Sequence, residues 1–144
     1  MRRAPAVRLL WLAALAGLGA AACVTGAPAG APTEERLRTR IERLNTYFTK
    51  GDFEGFVSMH SAGPKRHFER MAPEQRERAK RDARSFAASA RPRRELVGLE
   101  VNGRAARATV RISLLDGTGP PINDLRYDYW VFENQDWYFD HSSF

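Results

Sequence analysis

From Glu95 onward the apolar residues of this chain recur at every second position, and nothing else in the sequence constrains its fold as strongly. Val97, Leu99 and Val101 alternate with Gly98 and Glu100; after Asn102-Gly103 the pattern resumes, with Ala106, Ala108, Val110, Ile112 and Leu114 set against Arg107, Thr109, Arg111 and Ser113. A period of two sends successive side chains to opposite faces of a strand. Asn-Gly between two such runs is the strongest short signal for a two-residue hairpin. The chain therefore contains a half-buried antiparallel hairpin, and its apolar face needs a cover from elsewhere.

That cover lies upstream, where the period is near 3.6. Thr33 can cap a helix, Glu34 and Glu35 suit the positive end of its dipole, Leu37, Ile41, Leu44 and Phe48 share one face, and Gly51 ends it. Asp52 can cap a second, short helix carrying Phe53, Phe56, Val57 and Met59, which stops before a Ser61-Ala62-Gly63-Pro64 turn. Pro73 suits the first position of a third helix running to about Ala90, with a thin apolar face of Ala79, Ala83, Phe86 and Ala90, stopped by Pro92. Downstream of the hairpin, a loop containing Gly119-Pro120-Pro121 leads to a strand from about Asp124 to Glu133. A turn at Asn134-Gln135 then gives a final strand, Trp137 to His141. Three helices followed by a four-stranded antiparallel meander predict an α+β domain with its helices on one face of the sheet.

The first 22 residues read as an export signal: Arg2, Arg3 and Arg8 form a basic front, and the apolar run from Leu9 to Ala22 is 14 residues long. That is short of the roughly 20 that span a bilayer, and it ends in small residues suited to cleavage. Cys23, the one cysteine in 144 residues, follows Ala20-Ala21-Ala22 directly. This stretch resembles the lipobox of bacterial lipoproteins, with Ala20 where Leu is usual. The resemblance implies lipid on Cys23 and a place in the cell envelope, at the outer membrane facing the periplasm in a Gram-negative cell, since Val24 is not the retention Asp. Residues 23–32 then form a lipidated Cys and a Gly- and Pro-containing tether, and residues 33–144 form the domain. A lone cysteine excludes an internal disulfide, so the core alone must hold the exported fold.

The full chain carries a net charge of +6. Beyond the three signal arginines, 20 basic residues face 17 acidic ones, too mild a surplus to point to nucleic acid. The distribution is uneven: residues 65–94 hold 11 Lys/Arg against 4 Asp/Glu, and residues 95–144 hold 4 against 8. The basic run from Arg76 to Arg94 reads as a solvated helix face, or as a surface for anionic lipid or polymer.

Three segments, "YFTKGDFEGFVSMHS", "LEVNGRAARATVRISL" and "WVFENQDWYFDHSSF", resemble the nuclear transport factor 2-like superfamily, also described as cystatin-like or SnoaL-like. The resemblance spans roughly residues 33–144, and departs from the usual pattern at Asn134-Gln135-Asp136, where Asp-Gly is common. It implies three N-terminal helices packed on a curved four-stranded sheet as a cone. Enzymes of the superfamily place an acid, a Tyr or a His in that cone, and related domains often dimerise through the sheet.

Which residues would face the cone depends on the last turn. With an odd loop, the favoured register because it gives the more uniformly apolar inner face, Tyr127, Tyr129 and Val131 share a face with Trp137, Phe139 and His141. Tyr127, Tyr129, Trp137, Phe139 and His141 are then the candidate pocket residues, and Trp130, Phe132 and Tyr138 form an outer aromatic surface for an envelope partner or a second copy. With a two-residue loop the parity flips, and Asp128 can lie opposite His141. His60 and His67 are seven apart with Gly63-Pro64 between them and lack a third ligand, so no metal is expected. No phosphate loop, nucleophile elbow or Cys/His pair is present, so no cofactor is expected either. The reading is a membrane-anchored, non-catalytic binding or interaction module, taking a small apolar ligand in the cone or a protein partner on the sheet. The alternative is an isomerase- or dehydratase-like enzyme using His141 or Asp128 with Tyr127 or Tyr129. An open cavity holding an acid or a His would favour the enzyme; one filled by Phe48, Phe56, Trp137 and Phe139 would favour the module.

Overall fold

A computed structural model describes residues 30–115 and 122–142. The export signal over residues 1–22, Cys23, most of the tether and the Gly119-Pro120-Pro121 loop lie outside the described residues. Four helices, α1 (Glu34–Lys50), α2 (Phe53–Ser58), α3 (Ala62–Glu69) and α4 (Pro73–Ala90), precede four strands, β1 (Arg93–Asn102), β2 (Ala105–Leu114), β3 (Ile122–Glu133) and β4 (Asp136–Ser142). The strands form one antiparallel sheet in the order β1-β2-β3-β4.

The helix termini follow local chemistry. Thr33 caps α1 by accepting from the Arg36 N–H, and Asp52 caps α2 by accepting from the Gly55 N–H at 2.9 Å. Gly51 ends α1 with φ +65°, and a Cβ there would stand 2.4 Å from the Ala83 carbonyl oxygen of α4, so only glycine serves both demands. One helix was not expected. The Ser61-Ala62-Gly63-Pro64 stretch opens α3 instead of making a turn: Ser61 is extended at the N-cap, and Pro64 occupies the third helical position, where an N–H has no intrahelical partner to lose.

The first hairpin turns at Gly103-Arg104, one residue later than Asn102-Gly103, because Asn102 still pairs with Ala105. Gly103 takes φ +60° and Arg104 does not, the pattern of a turn with glycine at its first central position. A bulge between Leu96 and Gly98 turns Val97 outward, to 48% exposure, and brings Leu96 inward with Leu99.

Leu37, Ile41 and Leu44 of α1 are fully buried against Ala106, Ala108 and Val110 of β2, Trp130 and Phe132 of β3, and Trp137 and Phe139 of β4. Ala106 lies directly across from Trp130 in the ladder, and the small residue leaves room for the indole. Arg36 donates to the Gln135 carbonyl at 2.7 Å and Arg40 to the Trp137 carbonyl at 2.9 Å, clasping the last hairpin onto α1. The free edge of β4 is covered by residues 59–61, where Phe139 N–H donates to the Met59 carbonyl and Ser61 N–H to the Phe139 carbonyl, both at 2.8 Å.

Candidate functional site

The last turn is the two-residue Asn134-Gln135, both with positive φ, and Phe132 pairs with Trp137 and Trp130 with Phe139. The favoured odd-loop register is therefore wrong. Trp130 and Phe132, expected on an outer partner surface, are 1% and 8% exposed in the core, while Tyr127 and Tyr129, expected in the pocket, lie on the opposite face. The larger aromatic rings went inward because the helices supply a cover there, whereas a Tyr can keep its hydroxyl in water on the other face. Tyr138 does face away from the core, half-buried, with the Arg40 guanidinium 5.3 Å from its ring centroid.

A second irregularity moves His141. The register shifts between Tyr129 and Trp130, so that Asp140 is the extra residue on β4 and His141 pairs with Tyr129, not Tyr127. The two rings stack at 4.5 Å on the outer side, and His141 Nδ1 lies 3.0 Å from Asp140 Oδ2. Asp128 faces inward but stands opposite Ser142, not His141, and it is bound to Arg94.

Past Leu44, between the end of α1, the short helices α2 and α3 and the sheet, lies an open cleft of about 590 Å³. Phe48, Phe56, Phe68, Ile112 and Phe139 supply apolar walls, and His60, Arg94 and Arg126 supply the polar groups, with Asp140 and His141 at the rim. Of the expected pocket residues only Phe139 and His141 line it. Trp137 is wholly buried, its indole N–H donating to the Thr33 carbonyl at 3.2 Å.

His60 is 5% exposed and edge-on to Phe56, Phe68 and Phe139, with ring centroids 4.8 to 5.2 Å apart. Its Nδ1 meets the Phe56 carbonyl at 2.9 Å; a carbonyl only accepts, so Nδ1 carries the proton and Nε2 is left as an acceptor. Burial pushes the imidazole below its ordinary 6.5, against weaker upward pulls from backbone at Phe56 and Val57 and from Asp140. Asp140 sits beside it: burial raises this carboxyl, but the Ser61 hydroxyl, donating at 2.7 Å, and His141 outweigh that, and the net shift is downward.

Arg94, 4% exposed, pairs with the fully buried Asp128 and donates from Nε to Asn45 at 2.8 Å. Burial lowers its guanidinium to about 10, which leaves it charged at neutral pH. The neighbouring cation, Arg126, is held by Asp124 at 2.7 Å. Among the described residues no cluster of His, Cys, Asp or Glu could hold a metal ion. Of the cleft's polar residues, His60 stands out in the sequence only as a metal ligand with His67, which lies outside the cleft. Arg94 of β1 was the one missed: it shares its strand face with Leu96, and a charge in phase with apolar strand residues, with Asp128 available to match it, was the signal that could have singled it out.

No protein-family model matches the chain, and no curated protein matches it. Solved structures do. A SEC-C motif containing protein from Rhodopseudomonas palustris superposes with TM-score 0.51 at 17% identity, covering 80% of this chain and 79% of that one. The protein Rd1NTF2_05 gives 0.54 at 12% identity, over 74% and 94%. A protein with a cystatin-like fold from Nostoc punctiforme gives 0.50 at 10% identity, over 75% and 86%. The domain has the nuclear transport factor 2-like fold. At these identities the likeness is one of fold, so the chemistry of the cleft has to be argued from this chain's own residues.

Proposed function

We propose that this chain is an exported protein, anchored in the bacterial cell envelope by lipid on Cys23, whose nuclear transport factor 2-like domain binds a small, largely apolar molecule in its cleft. One observation carries the binding reading: the α1–sheet core opens into a cleft walled by Phe48, Phe56, Phe68, Ile112 and Phe139. Ligand sites are concave, mostly apolar and provided with a few placed polar groups, and this cleft has that composition. The anchor rests on the basic front, the short apolar run and the position of Cys23.

The test of binding uses the neutral dye N-phenyl-1-naphthylamine. Its fluorescence should rise on saturable binding to the intact domain, and Ile112→Trp, which fills the cleft, should abolish the rise while the melting temperature holds. A rise that survives Ile112→Trp would contradict the reading. Anchoring is tested by labelling cells with a radioactive fatty acid: the label should appear on the chain and vanish in Cys23→Ala.

A second reading, acid–base catalysis, is the one that an open cavity holding a His favours: the cleft is open and His60 is buried in its wall, its Nε2 without a hydrogen-bond partner among the described residues. It needs a different set of residues from the expected one. Of that set only Tyr129 and His141 come together, stacked on the outer face of the sheet, while Tyr127 is exposed and Asp128 is held inside by Arg94, so the expected residues form no single site in the cleft. Among the described residues no carboxylate hydrogen-bonds the His60 ring, whose Nδ1 is held by the Phe56 carbonyl, and the binding reading therefore stands first.

A further inference from the structure

The cleft's charges are already matched. Arg94 is paired with Asp128 and Arg126 with Asp124, and Asp140 at the rim adds a negative charge facing His141. An anionic ligand would therefore meet no unmatched cation, and would lie near Asp140. A cationic one would have to displace an arginine from its carboxylate, or compete for Asp140 with the Ser61 hydroxyl at Oδ1 and His141 Nδ1 at Oδ2.

On the two buried polar side chains of the wall, Arg94 and His60, one atom each remains uncommitted. Arg94 uses Nη2 for Asp128 and Nε for Asn45, so Nη1 has no hydrogen-bond acceptor among the described residues. His60 uses Nδ1 for the Phe56 carbonyl, so Nε2 has no donor. Both residues line the cleft, and neither atom is sealed off: among the described residues the one fully buried side-chain polar atom without a partner is Trp130 Nε1. The two groups are bridged by a floor of rings. The Arg94 guanidinium lies 5.7 Å from the Phe48 centroid, Phe48 lies 6.5 Å from Phe56, and Phe56 lies 4.8 Å from His60.

From this we infer that the cleft takes an uncharged molecule with a flat apolar body and two polar ends, a carbonyl-type acceptor received by Arg94 Nη1 and a hydroxyl-type donor received by His60 Nε2. The inference rests on the binding reading above and narrows it to neutral hydroxy-carbonyl compounds. The body lies over Phe48 and Phe56, which supply the hydrophobic part of the affinity. The ends give selection, because a polar group in an apolar wall that is left unpaired by a ligand disfavours that ligand.

Three probes with one body test it by NMR titration of the domain: 2-acetyl-6-hydroxynaphthalene, 2-methylnaphthalene and 6-hydroxy-2-naphthoate. The first should bind roughly tenfold or more tightly than either of the others, as expected for two added hydrogen bonds in an apolar site. His60→Phe should remove most of that advantage while 2-methylnaphthalene still binds. Because Arg94 variants endanger the fold through Asp128, the other readout is the ¹⁵N shift of His60 Nε2, which should move with the hydroxy-ketone and stay in place with 2-methylnaphthalene. Equal binding of all three, tightest binding of the naphthoate, or an unmoved Nε2 signal overturns the inference and leaves the cleft reading intact. Failure of every probe to bind, 2-methylnaphthalene included, overturns both.

Discussion

The two ends of α1 meet the same sheet differently. Leu37, Ile41 and Leu44, over its first three turns, have no exposed surface and close onto Trp130, Phe132 and Trp137; Phe48, in its last turn, is half-exposed and borders a cleft. The sheet shows the same division along β3. Phe132 and Trp130 are packed shut, Asp128 is buried with Arg94, and Arg126 and Asp124 beyond it are partly open to solvent. The buried ion pair stands at the boundary. The tightest packing is at the closed end, which leaves the open end for the binding proposed above.

The division can be broken from its closed end first. Trp130→Ala should destabilise the domain by about 3–5 kcal/mol in a denaturant titration, the usual range for emptying a large aromatic site. Ile112→Ala, in the cleft wall, should cost less, about 1–2 kcal/mol, because a half-exposed side chain buries less apolar area. Equal losses would show that the cleft is part of the load on the fold. At the boundary, Asp128→Leu should cost about 3–5 kcal/mol by leaving the Arg94 charge buried and unpaired. Adding Arg94→Met should recover most of that loss; no recovery would mean that Asp128 matters for some contact other than Arg94.

Gly51→Ala comes next. It forces a side chain into both a left-handed φ and the Ala83 carbonyl, so it should cost more than about 1 kcal/mol and loosen α4 from α1. Smallest is the effect of acid on His60. Its folded pKa lies below the ordinary 6.5, so as pH falls through that value the unfolded chain takes up the proton first. The contribution is fully present above about 6.5 and is lost as pH falls through the folded pKa. His60→Phe should flatten the stability profile in that window; an unchanged slope would show that His60 is not the group responsible.

Much of this was legible in the residues. The alternation over Leu99–Leu114 gave the hairpin, the 3.6 periodicity gave α1 with Leu37, Ile41 and Leu44 inward, and Pro73 and Pro92 bracketed α4. The errors share a physical origin, since a strand pattern tells which residues alternate but not which face is covered. Tyr127-Tyr129 and Trp130-Phe132 are both aromatic pairs in opposite phase, and the choice fell to the length of the Asn134-Gln135 turn. The bulges at Val97 and Asp140 each shift one residue and reverse the faces beyond it, and neither carries a glycine at the displaced position. The cleft itself was hidden because it depends on α3, whose Ser-Ala-Gly-Pro opening is equally good as a turn, and on Arg94, which reads as one more member of a basic run.

The central claim is that the open end receives a small molecule, and saturable binding of N-phenyl-1-naphthylamine to the domain tests it most directly. One site is expected, lost in Ile112→Trp at unchanged stability. No binding to the wild-type domain, or binding that Ile112→Trp leaves untouched, would contradict it.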